Sequence, residues 1–432
     1  MRRTPAEDIV EFLSFSGDPD NCLNALKEFS QREWQGVLQW LDDSGLAFYF
    51  LQKLKNTNAT DALPAWVISR LERNFAANQR RVDYMSSRLA LLNQKLNDAG
   101  VRYVVLKGLS LVPQFCPDAT LRHQSDFDYL VDDESLFTAQ RVLVEAGYSP
   151  RSSRSAREFI FVTPGKEEPT RSAGQYRAGA PHAAELHLDV WDSEQHGLPL
   201  MQRLFSAERT NPHRWNGFAF PALADEDAFL LQVLHACNHL FTYWIRMSCL
   251  FEIGYFLNRR ASDTSLWNRI AERVGDNLVL RELVVVVTEL VAQLFAPPLP
   301  PLVRAWGPRI RPASRVWIES YARYWAFCEL PFYEFRLFPR AKLVLFLQQQ
   351  YKDARAERRS LRDRLLPFSR FSRIASAIKD KPSLVLDAGW RKRQLLIRRS
   401  VFHALAGVRY LFEIPRWLWL NRARMRSASL DL

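Results

Sequence analysis

The chain has 432 residues, of which 47% are hydrophobic and 25% charged, with a net charge of +12; that is globular composition, and the length suits two or three domains. No run of eighteen uninterrupted apolar residues is present, which argues against a membrane-spanning helix, and the opening "MRRTPAEDIVEFLSFSGDPDN" carries acids where a signal peptide would be apolar. Five scattered cysteines without a CxxC pair (Cys22, Cys116, Cys237, Cys249, Cys328) fit the reduced thiols of a cytoplasmic protein and not a disulfide framework.

Residues 1–98 read as a helical N-terminal region. "AEDIVEFLSF", "NCLNALKEFSQREWQGVLQWLDDSG" and "PAWVISRLERNFAANQRRVDYMSSRLALLNQKLNDAG" place apolar residues three and four apart, and "GDPDN", "DDSG" and "NTNATDALP" interrupt them. After Gly100 the pattern changes to that of an α/β core spanning 99–222. Its strands are read in "VRYVVL", "DFDYLV", "REFIFVT" and "AAELHLDVW". A short helix is expected in "LSLVPQFCP", an amphipathic helix in "DESLFTAQRVLVEAGY", and a loop or hairpin in "PGKEEPTRSAGQYRAGAPH". Residues 223–300 are helical again and are expected to pack on the core. The Pro-rich "APPLPPLVRAWGP" then leads into a basic, aromatic-rich, helical C-terminal region, 301–432. From Pro331 onward, 23 Lys+Arg stand against 8 Asp+Glu, whereas the preceding residues carry 36 against 39. The basic character belongs to the tail.

The chemistry concentrates in the core. Asp126 and Asp128 stand two apart in a strand, so both side chains point to one face. Carboxylates held together repel unless a cation lies between them, and Mg²⁺ takes a few carboxylates together with phosphate oxygens and water. A strand ends at Lys107-Gly108 just before this pair, and a glycine at a helix start lets a phosphate approach free backbone N–H groups. Glu185, His187 and Asp189 alternate onto one face of a further strand, which makes a third acid available. Three acids on adjacent strands suit two-metal phosphoryl or nucleotidyl transfer.

The stretch "LLNQKLNDAGVRYVVLKGLSLVPQF…TLRHQSDFDYLVDDESLFTAQRVLVEAGY…AELHLDVW" resembles the uncharacterised nucleotidyltransferase family of the DNA polymerase beta-like superfamily. The likeness spans about residues 5 to 260 and includes a later helix carrying histidines, matched by "LLQVLHACNHLFTYWIRMSCLFEIGYFL". It implies an α+β fold: a polymerase-beta-like nucleotidyltransferase core, a small mixed sheet with helices, flanked by helical N- and C-terminal regions. It also implies transfer of a nucleoside monophosphate from a nucleoside triphosphate to a hydroxyl acceptor, with Mg²⁺ or Mn²⁺ as cofactor. By the same resemblance Asp126, Asp128 and Glu185 are the catalytic metal ligands. Lys107, Gly108, Ser110, Arg122 and Ser125 are then the nucleotide-binding residues, with His187 and Asp189 as alternates to the third acid. The chain departs from the superfamily at two points. It has Lys-Gly where active members carry Gly-Ser, and "HLDVW" where the family has "HW", so that Asp189 competes with Glu185.

Two other readings stay open: a degenerate member that binds nucleotide or a partner without turnover, and a glycosyltransferase using its Asp-x-Asp on a nucleotide-sugar. His235 and His239, four apart on one helical face, read as core or cleft-lining groups making hydrogen bonds, and Arg246 and Glu252 as a pair. The tail "RKRQLLIRRSVFHALAGVRYLFEIPRWLWLNRARMR" suits packing against the body, peripheral contact with an anionic (inner) membrane surface, or nucleic acid.

Overall fold

A computed structural model describes residues 3–155, 157–164, 175–191, 209–241, 246–327 and 419. The expectations for the basic tail, and for most of the loop before the fourth expected strand, lie outside these residues.

The N-terminal helices are α1 (Pro5–Leu13), α2 (Pro19–Lys27), α3 (Gln31–Ser44), α4 (Ala47–Asn56) and α5 (Ala65–Asp98). Their ends follow local chemistry. Thr4 with Glu7 and Ser30 with Glu33 form reciprocal capping boxes at the starts of α1 and α3. Gly45, at φ +75°, takes the left-handed conformation that closes α3. The 34-residue α5 does more than cover the core. Asn78 Nδ2 donates to the carbonyls of Thr120 (2.8 Å) and Arg122 (2.9 Å), and Arg81 Nε donates to that of Gln124 (2.7 Å). The helix thus holds the backbone that leads into the Asp-x-Asp strand.

The sheet has seven strands: β1 (Tyr103–Val105), β2 (Asp126–Val131), β3 (Ser149–Ser155), β4 (Glu158–Val162), β5 (Ala183–His187), β6 (Thr210–Trp215) and β7 (Phe218–Leu223). The spatial order is β3-β4-β5-β2-β1-β7-β6. β2 runs antiparallel to β1 and parallel to β5, and β1 runs parallel to β7, so the sheet is mixed as expected. The helix α6 (Leu136–Glu145) follows β2.

Three of these strands, β3, β6 and β7, lie beyond the four that the sequence pattern predicts. β3 is the polar "SPRSSRS" and lies at one edge of the sheet, where β-propensity matters little. β6 and β7 each contain a proline, Pro212 and Pro221, which face one another in the register. The signal for this hairpin was present in Asn216-Gly217, whose φ values of 41° and 83° are those of a two-residue turn with both centres left-handed. The helix expected between β1 and β2 is reduced to short 3₁₀ turns at Gly108–Leu111 and Ala119–Leu121.

Beyond the sheet come α7 (Asp225–Phe241), α8 (Met247–Arg260), α9 (Thr264–Val274) and α10 (Leu278–Phe295). One compact unit, Met1–Gln195, Leu200–His239 and Ile245–Arg309, contains the sheet and the acids. The described part of the second unit includes a helix at Pro312–Trp317, a π-helical turn at Ile318–Ala322 and a last helical turn at Arg323–Ala326. Among the described residues, no helix is long and apolar enough to cross a membrane.

α8 packs closely on α10. A Cβ at Gly254 of α8 would lie 2.9 Å from Phe15 Cε2 and 3.2 Å from Val291 Cγ1. Phe15 stacks on Phe251 with ring centroids 5.3 Å apart, and its backbone N–H donates to the Phe295 carbonyl at 2.7 Å. The ring therefore has little freedom to yield. Gly254→Val is expected to lower unfolding stability by about 1–3 kcal/mol, measured by urea denaturation; an unchanged midpoint would contradict this packing.

Candidate active site

The acids come together because β2 and β5 run parallel in register. Asp128 faces Glu185 across the two strands, Asp126 faces Ala183, and Leu130 faces His187. Side chains at paired positions share a face, so Asp126, Asp128, Glu185 and His187 all project to one side. Ligand atoms of Asp128, Glu185 and His187 lie within 4.8 Å of one another.

Asp128 is the hub. Its Oδ1 accepts from Lys107 Nζ at 2.8 Å and from His187 Nε2 at 3.1 Å, and His187 Nε2 is 3.7 Å from Glu185 Oε2. Burial works to raise the Asp128 carboxyl, but Lys107 and His187 outweigh it and hold it well below the carboxylate range. The other two acids move the opposite way. Burial, followed by the charge of Asp128, raises Asp126. Burial and the charges of Asp128 and Asp126 push Glu185 up to about 7. Lys107 would be lowered by burial alone, but the charges of Asp128 and Asp126 keep its ammonium firmly protonated.

The turn before the acids is fixed from behind. Gly108 has φ +66°, a left-handed conformation that strains any other residue, and a Cβ there would also displace the end of the Gln124 side chain. Arg122 donates from Nη1 to the Gly108 carbonyl (3.2 Å) and from Nε to Glu252 Oε1 (2.7 Å). Tyr49 OH donates to the same Glu252 oxygen at 2.9 Å and lies 3.1 Å from Cys116 Sγ. Glu252 is 1% exposed, so this ion pair is one that costs several kcal/mol to break from one side.

Several residues take positions other than those expected. Glu252 pairs with Arg122 and not with Arg246; Arg246 Nη2 instead meets His123 Nδ1 at 3.2 Å. Lys107 turns onto Asp128, and the short 3₁₀ turn behind Gly108 offers little of the helix N-terminus anticipated for a phosphate. Ser110 Oγ donates back to the Lys107 carbonyl at 3.2 Å, so its hydroxyl braces the turn. The Ser125 carbonyl accepts from Ala183 N at 3.1 Å, at the entry to the β2–β5 pair. β5 ends at His187, and Asp189 Oδ1 accepts from Trp191 N at 3.3 Å. Asp189 therefore caps a turn beyond the strand and stands apart from the acid cluster, while His187 belongs to it.

Arg81, which no sequence motif singles out, is 1% exposed, and its positive charge acts on Asp126. Its signal was the placing of Asn74, Asn78 and Arg81 at the spacing of α5's apolar stripe, since polar groups on a buried face need partners.

The residues fit a divalent cation by an observation independent of family. Ligand atoms of Asp128, Glu185 and His187 converge within 4.8 Å, with Asp126 outside that group on the same face. Burial together with the charge of Asp128 raises both Asp126 and Glu185, a penalty that a bound cation removes. The mixed sheet, the acid face, the Lys-Gly turn and most of the N-terminal helices all lie between residues 30 and 296. The sequence matches the family model described as an uncharacterised nucleotidyltransferase over residues 30–296, and the chain belongs to that family. A comparison with curated proteins finds no match.

The opposite shifts of the two β2 acids separate their roles in stability. Without divalent ions at pH 7.5, Asp126→Asn is expected to leave stability unchanged or raise it, because it removes a disfavoured charge. Asp128→Asn is expected to lower it by about 2–3 kcal/mol, because Lys107 loses its buried partner. Chemical denaturation of both variants checks this; equal effects would contradict the asymmetry.

Proposed function

We propose that the protein transfers a nucleoside monophosphate from a nucleoside triphosphate to a hydroxyl acceptor, with Mg²⁺ or Mn²⁺ held by Asp126, Asp128 and Glu185. The observation that carries the reading is the parallel register of Asp128 with Glu185, with Asp126 two residues earlier on the same face. When bound, the cation supplies Lewis-acid stabilisation of the charge on the reacting phosphates.

The chain's own groups do the rest. Lys107 brings a permanent positive charge to the acids and to phosphates arriving beside them. Arg122, held by Glu252, which also accepts from Tyr49, fixes the Gly108 carbonyl and so the shape of the turn. The acceptor oxygen forms a bond to the α-phosphorus, the bond from that phosphorus to the bridging oxygen breaks, and pyrophosphate leaves with the electron pair. The hydroxyl proton passes to water as the new bond forms, since Glu185, engaged with the cation, is held as the carboxylate and is not free to accept it.

A second reading has its own support. Lys107 Nζ already sits 2.8 Å from Asp128, doing part of a cation's work, and Lys-Gly replaces Gly-Ser. A member that binds nucleotide without turnover would look like this. The Asp-x-Asp glycosyltransferase reading has less support, because five helices precede a sheet that is largely antiparallel.

The assay is incubation of the full-length protein with each α-labelled nucleoside triphosphate and Mg²⁺ or Mn²⁺, following pyrophosphate and label transfer. With one nucleotide at least, the wild type is expected to release pyrophosphate, and Asp126→Asn to lose about 100-fold or more of that rate while remaining folded. Nucleotide binding without pyrophosphate release would favour the non-catalytic reading, and activity equal to wild type in Asp126→Asn would remove the acid from the chemistry.

A further inference from the structure

Beside the acid face lies a second group of ligand-type side chains that the proposed transfer does not use. His235 and His239 are one turn apart on α7, and Cys249 enters from the first turn of α8. Their ligand atoms lie within 4.8 Å of one another. The two imidazoles meet at right angles, with ring planes 85° apart and centroids 4.6 Å apart, and the two Nε2 atoms are 3.3 Å from each other.

That separation has two physical explanations. One Nε2–H can donate to the other nitrogen, which makes a simple histidine pair. Alternatively both lone pairs converge on one ion. Two nitrogens at the usual distance from tetrahedral zinc stand about 3.3 Å apart. The thiol is the discriminating element. A hydrogen-bonded histidine pair has no need of a sulfur within reach of both nitrogens, whereas a zinc site does.

We propose that His235, His239 and Cys249 form a second metal site, taking a borderline divalent cation of the Zn²⁺ class in a tetrahedral site whose fourth position is not protein-filled by these three residues. The donor sets keep the two sites chemically apart. Two imidazoles and a thiolate select zinc-like ions, and the carboxylates of β2 and β5 select Mg²⁺ or Mn²⁺. The two nevertheless share an electrostatic neighbourhood, because His235 feels the charges of Lys107, Asp128 and Arg122. A dication here would act on the acid face and would tie α7 to α8. The inference does not depend on the proposed transfer reaction, since it rests on a different set of side chains.

The test uses full-length protein freed of metal by chelation and titrated with Co²⁺ alone, then with Zn²⁺. One equivalent of Co²⁺ is expected to give tetrahedral d–d bands and a near-ultraviolet thiolate-to-cobalt band. One equivalent of Zn²⁺ should bleach them, and excess Mg²⁺ should not. Cys249→Ser is expected to lose the thiolate band, and His239→Gln to weaken Co²⁺ binding by more than about 100-fold, beyond what loss of an outer-shell partner costs. Zinc-edge X-ray absorption of the wild type reads the donor set without any variant, and one sulfur with two imidazoles is expected there. A wild type without the thiolate band, a full band in folded Cys249→Ser, or a zinc shell of oxygens alone would overturn the proposal.

Discussion

Three carboxylates on one face of two neighbouring strands repel one another, and the surrounding structure is arranged around that repulsion. Asp126, Asp128 and Glu185 are set on one face by strand register. The described structure answers with cations of its own. Lys107 and His187 fall on Asp128, and the charges of Arg81, Arg122 and Arg246 bear on Asp126. These groups settle Asp128 and leave Asp126 and Glu185 raised. The imbalance is the physical reason to regard the face as built for an additional cation.

The cationic residues are themselves tied to the helices around the sheet. Arg122 reaches Glu252 on α8, Glu252 also accepts from Tyr49 on α4, and Arg81 on α5 is bound to the carbonyls of Gln124, Arg177 and Ala180. These are buried, charge-assisted contacts, which lose more when one partner is removed than they contribute as pairs. The N-terminal helices and α8 thus take part in shaping the turn at Gly108. In the proposed reaction they are positioning elements, and Arg122 acts through Gly108 and Glu252.

How much of this could be read from the sequence depends on how far apart the partners lie along the chain. The shared face of Asp126 and Asp128 followed from strand alternation alone. The α/β core followed from the change of period after Gly100, the α+β class came with the family resemblance, and α5 closed where its pattern ended. The pairing of Asp128 with Glu185 needed the parallel register of β2 and β5, which local pattern does not carry. The Arg122–Glu252 pair spans 130 residues, and nearness on one helix had suggested Arg246 in its place. Asp189 was assumed to continue an alternation that stops at His187, the last residue of β5. Cys249 lies on a different helix from the two histidines, so only the fold joins it to them. β6 and β7 were lost to their prolines, although Asn216-Gly217 marked the hairpin.

The claim that the acid face holds a divalent cation is tested most directly by Mn²⁺ binding, followed by the electron paramagnetic resonance of free Mn²⁺ at pH 6 and pH 8. Glu185 is raised from 4.5 to about 7, so at pH 6 a proton competes with the cation and at pH 8 it does not. The account predicts that wild-type affinity rises several-fold between the two, about tenfold at most. It also predicts that Glu185→Gln, which has no proton to lose, binds more weakly and without that dependence. Absence of Mn²⁺ binding at pH 8, or a Glu185→Gln variant with the wild-type affinity and pH profile, would contradict it.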